Sequence, residues 1–366
     1  MRDTMSRKER WLGAIRIRPV DRLPFWPKLN PAYMHAQVPE FRNMDLDSIH
    51  DWIGSDKHIG IAGCVKEVRR STAIESVESD GVRRTLYRTP HGEMDLVSKY
   101  DEPSQSWHPV TFPVRTPDDV CLMTEIYADT QAILNEEGLE QARAQARAIG
   151  DDAIVVNTIG TSPLMHWIEW LAGMETANYL LADHPGEVEG LFDAMHRVLM
   201  RKTELFCEHS PADALYFSEN TSTTLTSPQQ YRQYCARHIG DYADVLRAAD
   251  RNLILHMCGH LKALLPDLAV IPAQAFEAFT SPTLGNTTLL DGRTQCPNTC
   301  LIGGTNAMLW TRSAEEIISE IERDLDGLPH HRGIVITSAG VMPPMCKPET
   351  IRQVCGWVRE YPARMD

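Results

Sequence analysis

Leu253–Pro266 reads LILHMCGHLKALLP, and the fold turns on it. An aliphatic run, Leu253-Ile254-Leu255, stops at His256 and Cys258, two side chains of metal-ligand type one residue apart. A glycine follows, then a helix-like stretch. On an extended strand residues i and i+2 face the same way. Ile254, His256 and Cys258 therefore share one face, and Leu253, Leu255 and Met257 the other. The pair is either core filling or two-thirds of a metal site.

Working outward, short β-rich runs recur at 153–160 (AIVVNTIG), 214–220 (ALYFSEN), 252–258 (NLILHMC), 275–280 (AFEAFT), 300–306 (CLIGGTN) and 333–340 (GIVITSAG). Helical stretches separate them, with well-marked starts. Ser227-Pro228-Gln229-Gln230 and Ser313-Ala314-Glu315-Glu316 read as capping boxes. Pro185-Gly186 breaks a long helical pattern, and Pro348 opens the last helix. Strand, loop, helix, strand implies a parallel sheet. With 22–27 (RLPFWP) and 58–63 (HIGIAG) the count reaches eight strands. A single (β/α)8 TIM barrel of class α/β, spanning 1–366, is the expected architecture. The segment 76–100 is antiparallel in character, with Asp80-Gly81 as its turn. It is expected to form a β-hairpin insertion near residues 75–110, either a surface decoration or a lid.

The 366 residues are 43% hydrophobic and 23% charged, which is the composition of a globular chain. A formal net charge of −14 without any Lys/Arg run argues against nucleic acid as a partner. The first residues lack an apolar core of signal-peptide type, and no stretch approaches ~20 apolar residues, so no membrane association and a cytoplasmic location are expected. Nine irregularly spaced cysteines argue for free thiols rather than a disulfide framework. Acidic barrels of this kind pair through exposed helices, and a homodimer is compatible with the composition.

The segments RKERWLGAIRIRPVDRLPFWP (7–27), LILHMCGHLKALLPDLA (253–269), CLIGGTN (300–306) and SAGVMPPMCKPETI (338–351) resemble the uroporphyrinogen decarboxylase superfamily over nearly the whole chain. The resemblance implies a barrel and one of two chemistries, decarboxylation or corrinoid-linked methyl transfer. The decarboxylases carry an arginine-bearing MRQAGR-like loop after the first strand, where this chain has KLNPAYM (28–34). The methyltransferase branch carries a zinc site written HxC plus a distant Cys, and His256-Met257-Cys258 matches its first half. YRTPHGEMDLVSKY (87–100) and HPVTFPVRTPDDV (108–120) are similar to methyltransferases that demethylate methoxylated or methylated small molecules. The usual third cysteine falls at Gly340-Val341 here.

Barrel sites lie at strand C-termini, which brings His256 and Cys258 to the mouth. A catalytic zinc takes about three protein ligands. The remaining ligand is expected from Cys346, before a helix N-terminus that lowers a thiol pKa, or from Glu219 at the end of the preceding strand. Cys296 and Cys300 rank last. Glu219, His256 and Cys258 are the expected catalytic set. Trp26, Asn157, Asn220, Glu277 and Asn306 are candidates to orient a substrate, and Trp26, Trp107, Trp167, Trp170 and Trp310 to wall an aromatic pocket. The resemblance implies methyl transfer from a small methylated substrate, a methoxyarene among them, to the cobalt of a separate corrinoid protein, because no DxHxxG cobalamin segment occurs here. The reverse flow to tetrahydrofolate or a thiol, a decarboxylase of a small acid, and a non-catalytic corrinoid-protein binding module are the alternatives.

Overall fold

The computed structural model describes residues 3–366. All eight expected strands form one parallel sheet: β1 (Phe25–Trp26), β2 (Lys57–Gly60), β3 (Ala153–Gly160), β4 (Ala214–Ser218), β5 (Asn252–His256), β6 (Ala275–Phe279), β7 (Cys300–Gly303) and β8 (Ile334–Thr337). The order runs β1-β8-β7-β6-β5-β4-β3-β2, a (β/α)8 barrel. Asp56 closes it from both backbone and side chain. Its N–H donates to the Phe25 carbonyl at 2.8 Å, and its carboxylate accepts from the Phe25 N–H at 2.9 Å.

Side chains sort by strand parity. Ile154, Val156, Ala214, Tyr216, Ile254, Ala275, Cys300, Ile302 and Val335 fill the barrel, with Trp26. Leu215, Phe217, Leu253, Leu255, Met257 and Phe276 pack in the layer beneath the helices. The helix Arg7–Ile15 plugs the lower end with Trp11, Ala14 and Ile15. Beneath it lies a buried ion network. Arg10 meets Asp21 at 2.7 Å and Asp56 at 2.6 Å, and Arg22 meets Asp56 at 2.7 Å. Burying these charges is tolerable because each is paired and hydrogen-bonded.

Both expected capping boxes form, at Ser227 and Ser313. The long helical pattern breaks as read, into Met174–Asp183 and Pro185–His209. The insertion is larger than one hairpin. Ala73–Ser79, Val82–Thr89, Gly92–Asp101 and Ser106–Thr111 make a four-stranded antiparallel meander, with Asp80 and Gly81 at φ +52° and +71° in its first turn. A second pairing joins Val65–Val68 to Gln131–Leu134. The single-hairpin reading missed the Pro90-His91 turn between the second and third strands of the meander. The meander packs on the helix Pro117–Asp129, which packs on Pro185–His209. Among the described residues no helix is long and apolar enough to cross a membrane.

Candidate active site

His256 is the last residue of β5, and its register partner on β6 is Glu277. Both have interior parity, so their side chains meet: His256 Nδ1 is hydrogen-bonded to the Glu277 carboxylate. Lys28, two residues beyond Trp26 and hence on the same face, reaches across the mouth to Glu277 at 3.0 Å and stands 3.4 Å from His256 Nδ1. Burial alone would lower the His256 pKa, but the Glu277 charge outweighs it and holds it up at about 9. Burial would raise Glu277, yet Lys28 and His256 hold it down at about 2. The three form one hydrogen-bonded cluster of charges.

Cys258, two residues on, is half-buried, and its thiol donates to Asn220 Oδ1 at 3.4 Å. Asn220 adopts φ +45°, which asparagine tolerates better than most residues, and the N–H groups of Glu219 and Asn220 both donate to the His256 carbonyl. The β4 loop is thereby folded over the end of β5. Gly259 follows at φ +116°, where a Cβ would come within 2.7 Å of Ser222 Oγ. Asn220 Nδ2 donates to Glu169 Oε2 at 3.3 Å, and burial raises the pKa of that carboxyl.

Beneath this cluster, Trp26 stacks on His58 with ring centroids 4.3 Å apart, and His58 Nε2 meets the Tyr216 hydroxyl at 3.1 Å. Burial pushes His58 down to about 4, so it is neutral. Trp26, Asn220 and Glu277 therefore stand around His256 and Cys258.

Other expected residues do not. Asn157 has the outer parity of β3. It donates to the Ile61 and Ala62 carbonyls at 2.8 and 3.0 Å and accepts from Ser210 at 2.6 Å, a tie between strand ends. Asn306 holds Ser281 and Pro282 and accepts from the Leu309 N–H. Glu219 has the parity of Leu215 and Phe217, so it turns into the layer under the helices. There it accepts from the Ser162 N–H at 2.7 Å and the Cys235 thiol at 3.6 Å, and burial pushes it up to about 7. Cys346 is packed in the outer apolar cluster with its sulfur 3.8 Å from the Lys347 carbonyl. Burial, not the following helix, sets its pKa, which is pushed up to about 12 rather than lowered. Cys296 packs in that same outer layer, and Cys300 opens β7 at the barrel floor. Among the described residues no three His, Cys, Asp or Glu side chains converge with metal-ligand geometry. Trp167 and Trp310 are wholly buried in the outer layer, and Trp107 lies on the meander beneath Arg83.

Lys28, His58, Tyr216 and Glu169 belong to the site without having been singled out from the sequence. The signal for Lys28 was the i, i+2 relation to Trp26. Glu169 had none, because it sits in a π-helical turn, Trp167–Leu171.

The profile of the family "Uroporphyrinogen decarboxylase (URO-D)" matches residues 117–361, well over half of the chain. The protein belongs to the uroporphyrinogen decarboxylase family. A methyltransferase from Methanosarcina mazei superposes over 97% of this chain and 98% of its own with a TM-score of 0.60 at 16% identity, which shows a shared fold. A putative vitamin-B12 independent methionine synthase from Listeria monocytogenes covers 61% of this chain and 68% of its own at 12% identity, with a TM-score of 0.38, too loose a likeness to bear on either fold or function. No curated protein matches the sequence. The lysine at the mouth, Lys28, is paired with Glu277.

Proposed function

We propose that this protein is a zinc-dependent methyltransferase that moves a methyl group from a small methylated substrate to the cobalt(I) of a separate corrinoid protein. The observation that carries the reading is the pairing of His256 with Cys258 at the barrel mouth, with His256 anchored through Nδ1 by a buried carboxylate. That carboxylate–imidazole arrangement is how metal-ligating histidines are oriented, and it leaves Nε2 for a ligand. The whole-chain likeness to the Methanosarcina mazei methyltransferase supports the same reading.

His256 and Cys258 would hold the ion. Glu219 would have to abandon Ser162 and Cys235 to join them, and Cys346 its apolar packing. Zinc at this point supplies a Lewis acid to the departing heteroatom. The remaining work falls to the chain. Glu277 fixes the His256 ring, Lys28 offsets the Glu277 charge, and Asn220 stands beside the Cys258 sulfur and holds it in place. Decarboxylation of a polyacid fits less well, because that chemistry needs free cations at the mouth.

Two measurements test the proposal. Purified protein should contain stoichiometric zinc, absent from His256→Ala and Cys258→Ser, unchanged in Cys346→Ser, and bound about 10- to 100-fold more weakly by Glu277→Gln. With a reduced corrinoid protein, methyl-cobalt should form only when a methylated substrate is added. A wild-type protein without zinc, or no methyl-cobalt across methoxyarenes and methylamines, would sink the reading.

A further inference from the structure

Beyond the top of β3 lies a cavity of about 300 Å³ whose lining shares no residue with the His256 cluster. Met195, Val198 and Leu199, from one face of the helix Pro185–His209, make an apolar wall, and Trp170, 38% exposed, is its aromatic side. Tyr127 and His166 also line it. Their rings meet edge to face at 6.5 Å, and neither polar end finds a hydrogen-bond partner among the described residues.

The chemistry of the lining selects an occupant. At ~30 Å³ per water-sized group the space takes about ten heavy atoms. Burial keeps His166 neutral, pushed down to about 4, so it offers one donor and one acceptor. Burial also raises Tyr127, which keeps its proton. The one cation on the wall, Lys202, is already closed onto Glu67 at 3.2 Å, and Glu67 also takes Arg69 at 2.8 Å. A charged ligand would be desolvated against Met195, Val198 and Leu199 with nothing to compensate it. A largely apolar slot with one aromatic side, two neutral polar groups and an already closed Glu67–Lys202 pair suits a flat ring with a single polar substituent.

We propose that this cavity binds a small neutral aromatic ring bearing a hydroxyl group, seated against Trp170 with its hydroxyl between Tyr127 and His166. The site connects to the cluster at the mouth. Trp170 and Glu169 share the π-helical turn, Glu169 accepts from Asn220, and Asn220 accepts from the Cys258 thiol. As the place of a demethylated phenol product the cavity rests on the methyltransferase reading. As a binding site it does not, so phenol that binds while no methoxyarene yields methyl-cobalt would overturn only the former.

Calorimetric titration of the full chain tests the binding directly. Phenol and 4-methylphenol should each bind saturably at one site, while benzoate and cyclohexanol should bind at least about tenfold more weakly. Tyr127→Phe and His166→Phe should each weaken phenol about tenfold, the loss of one hydrogen bond. Leu199→Trp and Met195→Phe fill the cavity from two positions on the helix, and either variant that melts like the wild type should abolish binding. If neither folds, the Tyr127→Phe result decides. No saturable binding of phenol, undiminished binding in a filled or Tyr127→Phe protein, or benzoate binding as tightly as phenol would overturn the proposal.

Discussion

Glu219 shows how far a single position can be read. It directly follows Ser218, whose register partner is His256, and as a carboxylate so placed it is a reasonable third ligand. The parity that pairs His256 with Cys258 sends Glu219 the other way, with Leu215 and Phe217. Its pKa of about 7 stands above the ordinary 4.5 because burial disfavours the charged form. The folded state therefore favours the protonated carboxyl. That contribution is whole below pH 4.5 and is lost as pH rises through 7, on the order of 3 kcal/mol in all. Glu219→Gln keeps an acceptor for the Ser162 N–H and cannot ionise. Urea denaturation at pH 5 and pH 8 should show the wild type losing stability relative to this variant at the higher pH. Equal pH slopes in the two proteins would show that Glu219 does not titrate in that range.

At the level of the element, the capping boxes and the strand ends were legible because both are local. Ser313 accepts from the Glu316 N–H at 3.3 Å while the Glu316 carboxylate accepts from the Ser313 N–H at 3.1 Å. The helix Ala314–Asp326 then buries Ile317, Ile321 and Leu325. Ser313→Ala should cost about 1 kcal/mol, or about 2 °C in the melting temperature, leaving the His256 cluster untouched. No change in melting would mean that packing of the apolar stripe alone fixes the start of this helix. The two π-helical turns, Trp167–Leu171 and Arg232–Ala236, were not legible. An extra residue in a helical turn leaves no distinct spacing in the sequence. Yet one turn presents Glu169 to Asn220, and the other carries the Cys235 that meets Glu219.

For the whole molecule, the N-terminal segment 7–27, which precedes the matched residues 117–361, is structural. Arg10, Asp21 and Arg22, all within it, join Asp56 beneath the plug helix and close β1 onto β2. Asp56→Asn leaves two buried guanidinium groups short of a counter-charge, although Arg10 keeps Asp21 and Arg22 keeps Asp3. Breaking such a buried pair should cost about 3 kcal/mol, read as a lowered denaturation midpoint with an unchanged m-value. A midpoint equal to the wild type would show that the barrel closes without this network.

The sequence by itself determined eight strands, their order of appearance, the helix starts and the shared face of His256 and Cys258. These follow from periodicity and capping, which act over a few residues. Only the tertiary structure decided what those two side chains meet. Glu277 and Lys28 come from positions 21 and 228 residues away in sequence from His256, and the exclusion of Asn157, Asn306, Glu219 and Cys346 from the cluster depends on where the closed sheet and its loops place each one. Closure joins residues across a barrel whose partners no local pattern names.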